Sequence, residues 1–151
     1  FVLSDTENAR DFILNTLPDP VVELLDLESI SVSRESFVDP ELKKNQFDVL
    51  ITTRVRGRPA YIYVLVEHKS NPERWTVLQL LGYMVRIWEK EVKNRTGRNV
   101  KAPLPVIIPV IFYQGSRTWR YPVAFGEYFD APAALLRLPQ RLFSVYTESG
   151  Q

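Results

Sequence analysis

The stretch FDVLITTRVRGRPAYIYVLVEHKS, residues 47–70, decides how this chain folds. Two runs rich in Ile, Val, Tyr and Thr, 47–55 and 60–69, flank Arg56-Gly57-Arg58-Pro59. β-branched and aromatic side chains suit a pleated, half-buried surface. Gly57 accepts positive φ without a Cβ penalty. The pattern predicts an antiparallel hairpin with its turn centred on Gly57–Arg58. The second run ends on Glu67, His68 and Lys69 directly after the apolar Val64-Leu65-Val66. Charge is costly to bury unless it is paired or bound to metal, so this ending needs a reason.

Strand side chains alternate between faces. Glu67 and Lys69 therefore share one face, and His68 points to the other. A turn at Gly57–Arg58 sets Asp48 directly across from Glu67, with Cβ atoms roughly 5 Å apart. Two carboxylates that close repel each other, and one pKa would be raised. A divalent cation removes both difficulties. Mg²⁺ favours hard oxygen ligands and needs only one or two protein carboxylates. Lys69 beside it would orient an attacking water or stabilise developing negative charge. An ordinary strand-end salt bridge from Lys69 to either acid accounts for the same spacing. On the metal reading, Asp48→Ala leaves folding intact or better, because it relieves repulsion.

Outward from the hairpin, residues 73–92 read as a long helix opened by Asn71-Pro72. At about 100° per residue, Leu78, Leu81, Val85, Trp88 and Val92 form its expected core stripe. Gln79, Tyr83, Arg86, Lys90 and Lys93 form a second stripe, whose start would overhang the acids. Its basic tail, joined by Arg95, Arg98 and Lys101, would suit a phosphate backbone, although for Lys90 and Lys93 a solvated polar face is the better explanation. Residues 104–113 (LPVIIPVIFY) read as a strand covered on both faces, with Pro109 demanding an edge or a bulge. Upstream, Ser4 with Glu7 fits a capping box, a helix spans 9–17 with Phe12, Ile13 and Leu17 inward, and Pro18 and Pro20 break it. A short helix over 21–27 and a weak strand over 30–33 follow. Helix, hairpin, long helix and strand together predict an α/β domain with a mixed sheet between helices.

The totals set limits. At 151 residues, with 45% hydrophobic and 25% charged residues, one domain with a real core is expected. A net charge of +1 gives no global field, so any nucleic-acid contact must be local. The absence of cysteine excludes thiolate metal sites and disulfides. No apolar run approaches the roughly 20 residues needed to span a bilayer. The chain begins at Phe1, with Met84 its only methionine, so both ends are expected to be trimmed.

Taken together, D48…E67-H-K69…Q79-LLG-Y83 resembles the PD-(D/E)xK nuclease superfamily, and the Gln-xxx-Tyr element is similar to that of RecB-like nucleases. More narrowly, the chain resembles the Rpn family of bacterial recombination-promoting nucleases, also labelled YhgA-like putative transposases. Carriers of the likeness are residues 9–20, 36–50, 61–70, 79–84 and 105–115. The resemblance implies a restriction-endonuclease-like fold of α-β-β-β-α-β order and metal-dependent cleavage of DNA phosphodiesters. It implies that Asp48 and Glu67 bind metal, with the His68 backbone carbonyl as a further ligand. Lys69 would be the motif lysine, and Gln79 and Tyr83 the supporting helix pair. Mg²⁺, or Mn²⁺ or Ca²⁺, is the expected cofactor, with no organic cofactor. DNA is the expected partner, and Arg86 and Lys90 would hold its strand. No membrane association is expected. A homodimer would suit a duplex cut, and the setting would be the bacterial cytoplasm. The competing expectation is a non-catalytic DNA- or protein-binding module on the same fold.

Other notable residues have plainer explanations. Glu7 is a candidate helix acid, but capping accounts for it. The His68 side chain is expected to pack away from the metal. Trp75, Trp88 and Trp119 read as packing residues. Arg54, Arg56 and Arg58 at the turn are DNA contacts or ordinary exposed arginines.

Overall fold

The computed structural model describes residues 3–68 and 72–136. Lys69 therefore falls outside the described residues, as does the end of a short helix that the sequence favours near 131–138. Strands β2 (Gln46–Val55) and β3 (Arg58–Glu67) form the expected hairpin. They are joined by Arg56 and Gly57 alone, with φ of 52° and 75°. Two successive positive φ values make the mirror-image turn whose twist matches that of the flanking strands. Because Arg56 takes up the left-handed conformation, the turn sits earlier than the sequence suggests. The register then pairs Gln46 with Glu67 and Asp48 with Leu65. Asp48 and Glu67 are consequently diagonal neighbours on one face, not a directly opposed pair. Such neighbours lie about 7–8 Å apart.

Strand β1 (Ser31–Ser33) pairs antiparallel with β2, and β4 (Val106–Tyr113) runs parallel to β3, giving the order β1-β2-β3-β4. The crossover to β4 is helix α3 (Thr76–Lys93). On one face of the sheet, helix α1 (Thr6–Thr16) packs Ala9 and Ile13 against Ile51, Ile62, Val64 and Val66. On the other, α3 packs Leu80, Tyr83, Met84 and Ile87 against Leu50, Tyr63, Leu65 and Ile107. Covered on both sides, β3 is buried without interruption from Ile62 to Glu67. This is the restriction-endonuclease-like arrangement of a mixed sheet flanked by helices. Among the described residues β4 lies at the sheet edge, where Pro109 costs no ladder bond to a further strand.

Several local expectations shift. The cap of α1 is Asp5 rather than Ser4; its Oδ1 accepts from the Asn8 amide at 2.8 Å. The second helix, α2, covers only Asp19–Val22. The chain then bridges Leu25 to Val55 and turns through Leu27–Ser29 instead of continuing as helix.

The largest correction concerns the phase of α3. Its buried face is Thr76, Val77, Leu80, Tyr83, Met84 and Ile87. Leu78, Val85 and Val92, expected in the core, are 49%, 40% and 49% exposed. The helix has two apolar stripes, and tertiary partners choose between them. The chosen face brings Thr76 and Tyr83 over polar groups that bond them, so their hydroxyls are not stranded in the core. Trp88 is half-buried, with its indole N–H on the Pro105 carbonyl at 2.8 Å. No helix among the described residues is long and apolar enough to cross a membrane.

Candidate functional site

Glu67 ends the central strand and is 0% exposed. Its Oε2 accepts from Gln46 Nε2 at 2.8 Å and from the Thr76 hydroxyl at 3.5 Å. Its Oε1 is buried and has no hydrogen-bond partner among the described residues. An acceptor left so costs about 1–3 kcal/mol, which marks this oxygen as a place for a missing ligand.

Gln46, opposite Glu67, is the hub of the site. Besides serving Glu67, its Nε2 donates to Gln79 Oε1 at 2.6 Å, and its Oε1 accepts from the Tyr83 hydroxyl at 3.1 Å. Gln79 and Tyr83 thus reach Glu67 through Gln46. Tyr83 is almost wholly buried, and burial is the main cause that raises its phenol above the ordinary value.

Asp48 sits two residues along the same face, half-buried. Its Oδ1 accepts from the Ser36 hydroxyl at 2.6 Å. Its Oδ2 accepts from the Phe37 amide at 2.7 Å and the Tyr63 hydroxyl at 2.6 Å. Burial pushes the Tyr63 phenol far above its ordinary value, and the bond to Asp48 and its charge add to that push. These three donors change one expectation: removing Asp48 strands hydrogen-bonding groups rather than merely relieving repulsion.

Arg86 and Lys90, expected to face substrate, are engaged within the chain. Arg86 binds Asp39 at 2.7 Å and the Phe37 carbonyl at 2.9 Å, and its guanidinium lies 5.2 Å from the Tyr83 ring centroid. Lys90 pairs with Glu35. Together they strap residues 35–39, which supply the Ser36 and Phe37 donors, onto α3. The cause is local: the loop carries an acid beneath each cation.

His68 is exposed on the face opposite Glu67, its ring 5.0 Å from that of Phe47, and its amide donates to the Asn45 carbonyl at 2.8 Å. Glu7 is exposed on α1, which covers the other face of the sheet, so it is not brought to the acids. Trp75 is exposed, 6.1 Å from the Tyr128 ring, and Trp119 donates to the Tyr121 carbonyl at 2.9 Å. Lys69 lies outside the described residues.

Sequence reasoning missed Gln46, Ser36, Asp39, Tyr63 and Thr76. Gln46 offered one signal: it precedes Asp48 by the strand period of two, so it shares that face in any register. The others become site residues only through tertiary contact.

Hard oxygen donors are what a small divalent cation takes. The orphaned Glu67 Oε1 fits such an ion; Asp48 Oδ1, with one donor, keeps a second acceptor direction, whereas Oδ2 already accepts from two. Among the described residues no group of three or more His, Cys, Asp or Glu side chains is arranged to hold a metal. Any cation would therefore lean on backbone carbonyl, water or substrate oxygens.

The family model described as "Putative transposase, YhgA-like" matches residues 1–148. The chain is 34% identical to Recombination-promoting nuclease RpnD of Escherichia coli O157:H7 over 93% of its length and 53% of the relative's. It is 31% identical to Recombination-promoting nuclease RpnC of Escherichia coli strain K12, over 81% of its own length and 39% of that protein. It is also 27% identical to Inactive recombination-promoting nuclease-like protein RpnE of the same strain, over 91% of its length and 44% of that relative. The chain thus spans about half the length, or less, of these curated relatives. No solved structure matches it. With the matched model covering nearly every residue, and a site face built from the strand and helix segments that carry the likeness, the chain belongs to the YhgA-like putative transposase family.

Proposed function

We propose that this domain is a metal-dependent DNA endonuclease acting in recombination or transposition, with Mg²⁺, Mn²⁺ or Ca²⁺ as its ion. The observation that carries the reading is Glu67: a wholly buried carboxyl with one oxygen held and the other unpartnered, on the same sheet face as Asp48. The relatives named as nucleases support it. Glu67 Oε1 and Asp48 would hold the ion, with the His68 backbone carbonyl as a third donor. When bound, such an ion polarises a phosphoryl oxygen and makes its water more acidic.

The chain's own residues do the rest. Gln46 and Thr76 fix the second oxygen of Glu67, so the free oxygen points one way only. Gln79 and Tyr83 hold the Gln46 amide in the orientation that donates to Glu67. Lys69 is assigned the orientation of the attacking water, as a point charge near the phosphate. Arg86 and Lys90 act as positioning residues: they clamp the loop whose donors orient Asp48, and they are not assigned to substrate.

A plasmid nicking assay tests this. Wild type should nick with Mg²⁺ and not with EDTA, and Glu67→Gln should not nick at all. Cleavage retained by Glu67→Gln would overturn the assignment. One observation favours a second reading, a nuclease fold that binds DNA without cutting: both Asp48 oxygens already accept hydrogen bonds within the chain, Oδ1 from Ser36 and Oδ2 from Phe37 and Tyr63. The relative named as inactive is in keeping with it. DNA binding by wild type with no Mg²⁺-dependent product would favour that reading.

A further inference from the structure

The end of the sheet away from the acids carries a built basic surface. Helix α3 runs from Thr76, which bonds Glu67, to Lys93, near the hairpin turn. There a cleft of about 500 Å³ opens between the turn and residues 94–105, lined by Gly57, Arg58, Asn94, Arg95, Asn99 and Pro105 among others. Arg95 is its staple. The guanidinium donates to the carbonyls of Ala102 at 2.5 Å and Pro103 at 2.9 Å, lies 3.6 Å from Glu91, and its side chain is 8% exposed. That staple fixes the Gly97–Lys101 turn and neutralises Glu91.

Around this cleft Arg56, Arg58, Lys93, Arg98 and Lys101 are exposed, and none has a partner among the described residues. Arg86 and Lys90 on α3 contrast with them, each paired with an acid. Unpaired cations on a pre-organised rim attract a polyanion at little reorganisation cost. No aromatic side chain lines the cleft, so it lacks the stacking platform that single strands use.

Distance identifies the polyanion. Arg58 and Glu67 bound β3, and nine residue steps at about 3.3 Å span ~30 Å. One turn of B-form DNA is about 34 Å. A duplex strand that faces the protein at the acids faces it again at the basic end. We propose that this basic end is a second contact region for duplex DNA, gripping neighbouring phosphates about one helical turn from the one presented to Asp48 and Glu67. The inference rests on the nuclease reading for its substrate, and it also fixes the direction in which the duplex lies, along α3.

Fluorescence anisotropy with Ca²⁺ or EDTA tests the proposal without relying on cleavage. Duplexes of about 6 to about 20 base pairs are compared with single strands of equal length. Affinity for duplex should step up near about 10 base pairs. The quadruple variant Arg56→Asn, Arg58→Gln, Arg98→Gln, Lys101→Gln should lose the step; Asn keeps the left-handed turn residue accessible. Its log K against log salt slope should become shallower by about one per contact removed, three to four in all. A slope and length profile equal to wild type would overturn the proposal, as would equal binding of single strands with no step. The two readings fail separately. A duplex step without Mg²⁺-dependent nicking sinks the endonuclease and leaves the basic contact. Nicking with an unchanged quadruple variant does the reverse.

Discussion

Replacing Glu67 by Gln should reverse its effect on stability when Mg²⁺ is added. The carboxyl is wholly buried and leaves Oε1 unpartnered, while Oε2 accepts from Gln46 and Thr76. Gln preserves an acceptor for those two donors and removes an acidic group from a place where an amide is cheaper to desolvate. In EDTA the variant should gain about 1 kcal/mol, because the amide NH2 left without a partner costs less to bury than an unpartnered carboxylate oxygen. For a domain of this size each kcal/mol moves Tm by about 2–4 °C. Mg²⁺ at about 100 times its Kd should stabilise wild type by about 2.7 kcal/mol and the variant scarcely at all. Thermal unfolding followed by circular dichroism, in EDTA and across a Mg²⁺ titration, reads both effects. Equal Mg²⁺ shifts in the two proteins, or a variant less stable than wild type in EDTA, would refute the reasoning.

Asp48→Ala should destabilise by about 2–5 kcal/mol in urea unfolding, because Ser36, the Phe37 amide and Tyr63 lose their acceptor together; an unchanged or raised midpoint would restore the repulsion argument. Tyr63 gives a pH signature. Its folded pKa is raised by burial first and by Asp48 next, so its stabilisation is fully present below about pH 10 and is lost as pH rises further, by about 1.4 kcal/mol per unit. Tyr63→Phe should flatten that alkaline decline in chemical denaturation, and an unaltered slope counts against the assignment. The phase of α3 is testable with two truncations: Leu80→Ala should cost about 2–5 kcal/mol, whereas Leu78→Ala should stay within about 0.5 kcal/mol. Equal losses would place both leucines in the core.

The sheet was legible because its information is local. Residues 47–55 and 60–67 alternate or saturate with β-branched and aromatic side chains, and Gly57 marks the turn. Any register that keeps the alternation leaves Asp48 and Glu67 on one face. The exact register was not legible, since it depends on Arg56, not only Gly57, adopting positive φ. The phase of α3 was hidden for another reason. Leu78, Val85 and Val92 look as apolar as Leu80, Met84 and Ile87, and only Gln46 and Glu67 beneath the helix make the face with Thr76 and Tyr83 the better one. Gln46 falls just outside the strand as the sequence delimits it, at 47–55. It becomes a hub once Glu67 stands opposite. Arg86 and Lys90 were read as free cations because Asp39 and Glu35 are distant in sequence.

The two acids are anchored to elements of different permanence. Glu67 belongs to a strand enclosed by both helical layers, so its backbone amides should exchange with solvent hydrogen only when the whole domain opens. Two of the three donors to Asp48 come instead from residues 36 and 37, on a connecting segment held to α3 by Arg86 and Lys90. The same segment is also seated by Val38 and Phe37 in the core beneath α3, so its hold on Asp48 depends on that packing as well as on the two cations. One carboxyl is thereby oriented by the sheet and its covering helix, and the other largely by a connecting segment without which only the Tyr63 hydroxyl would hold it.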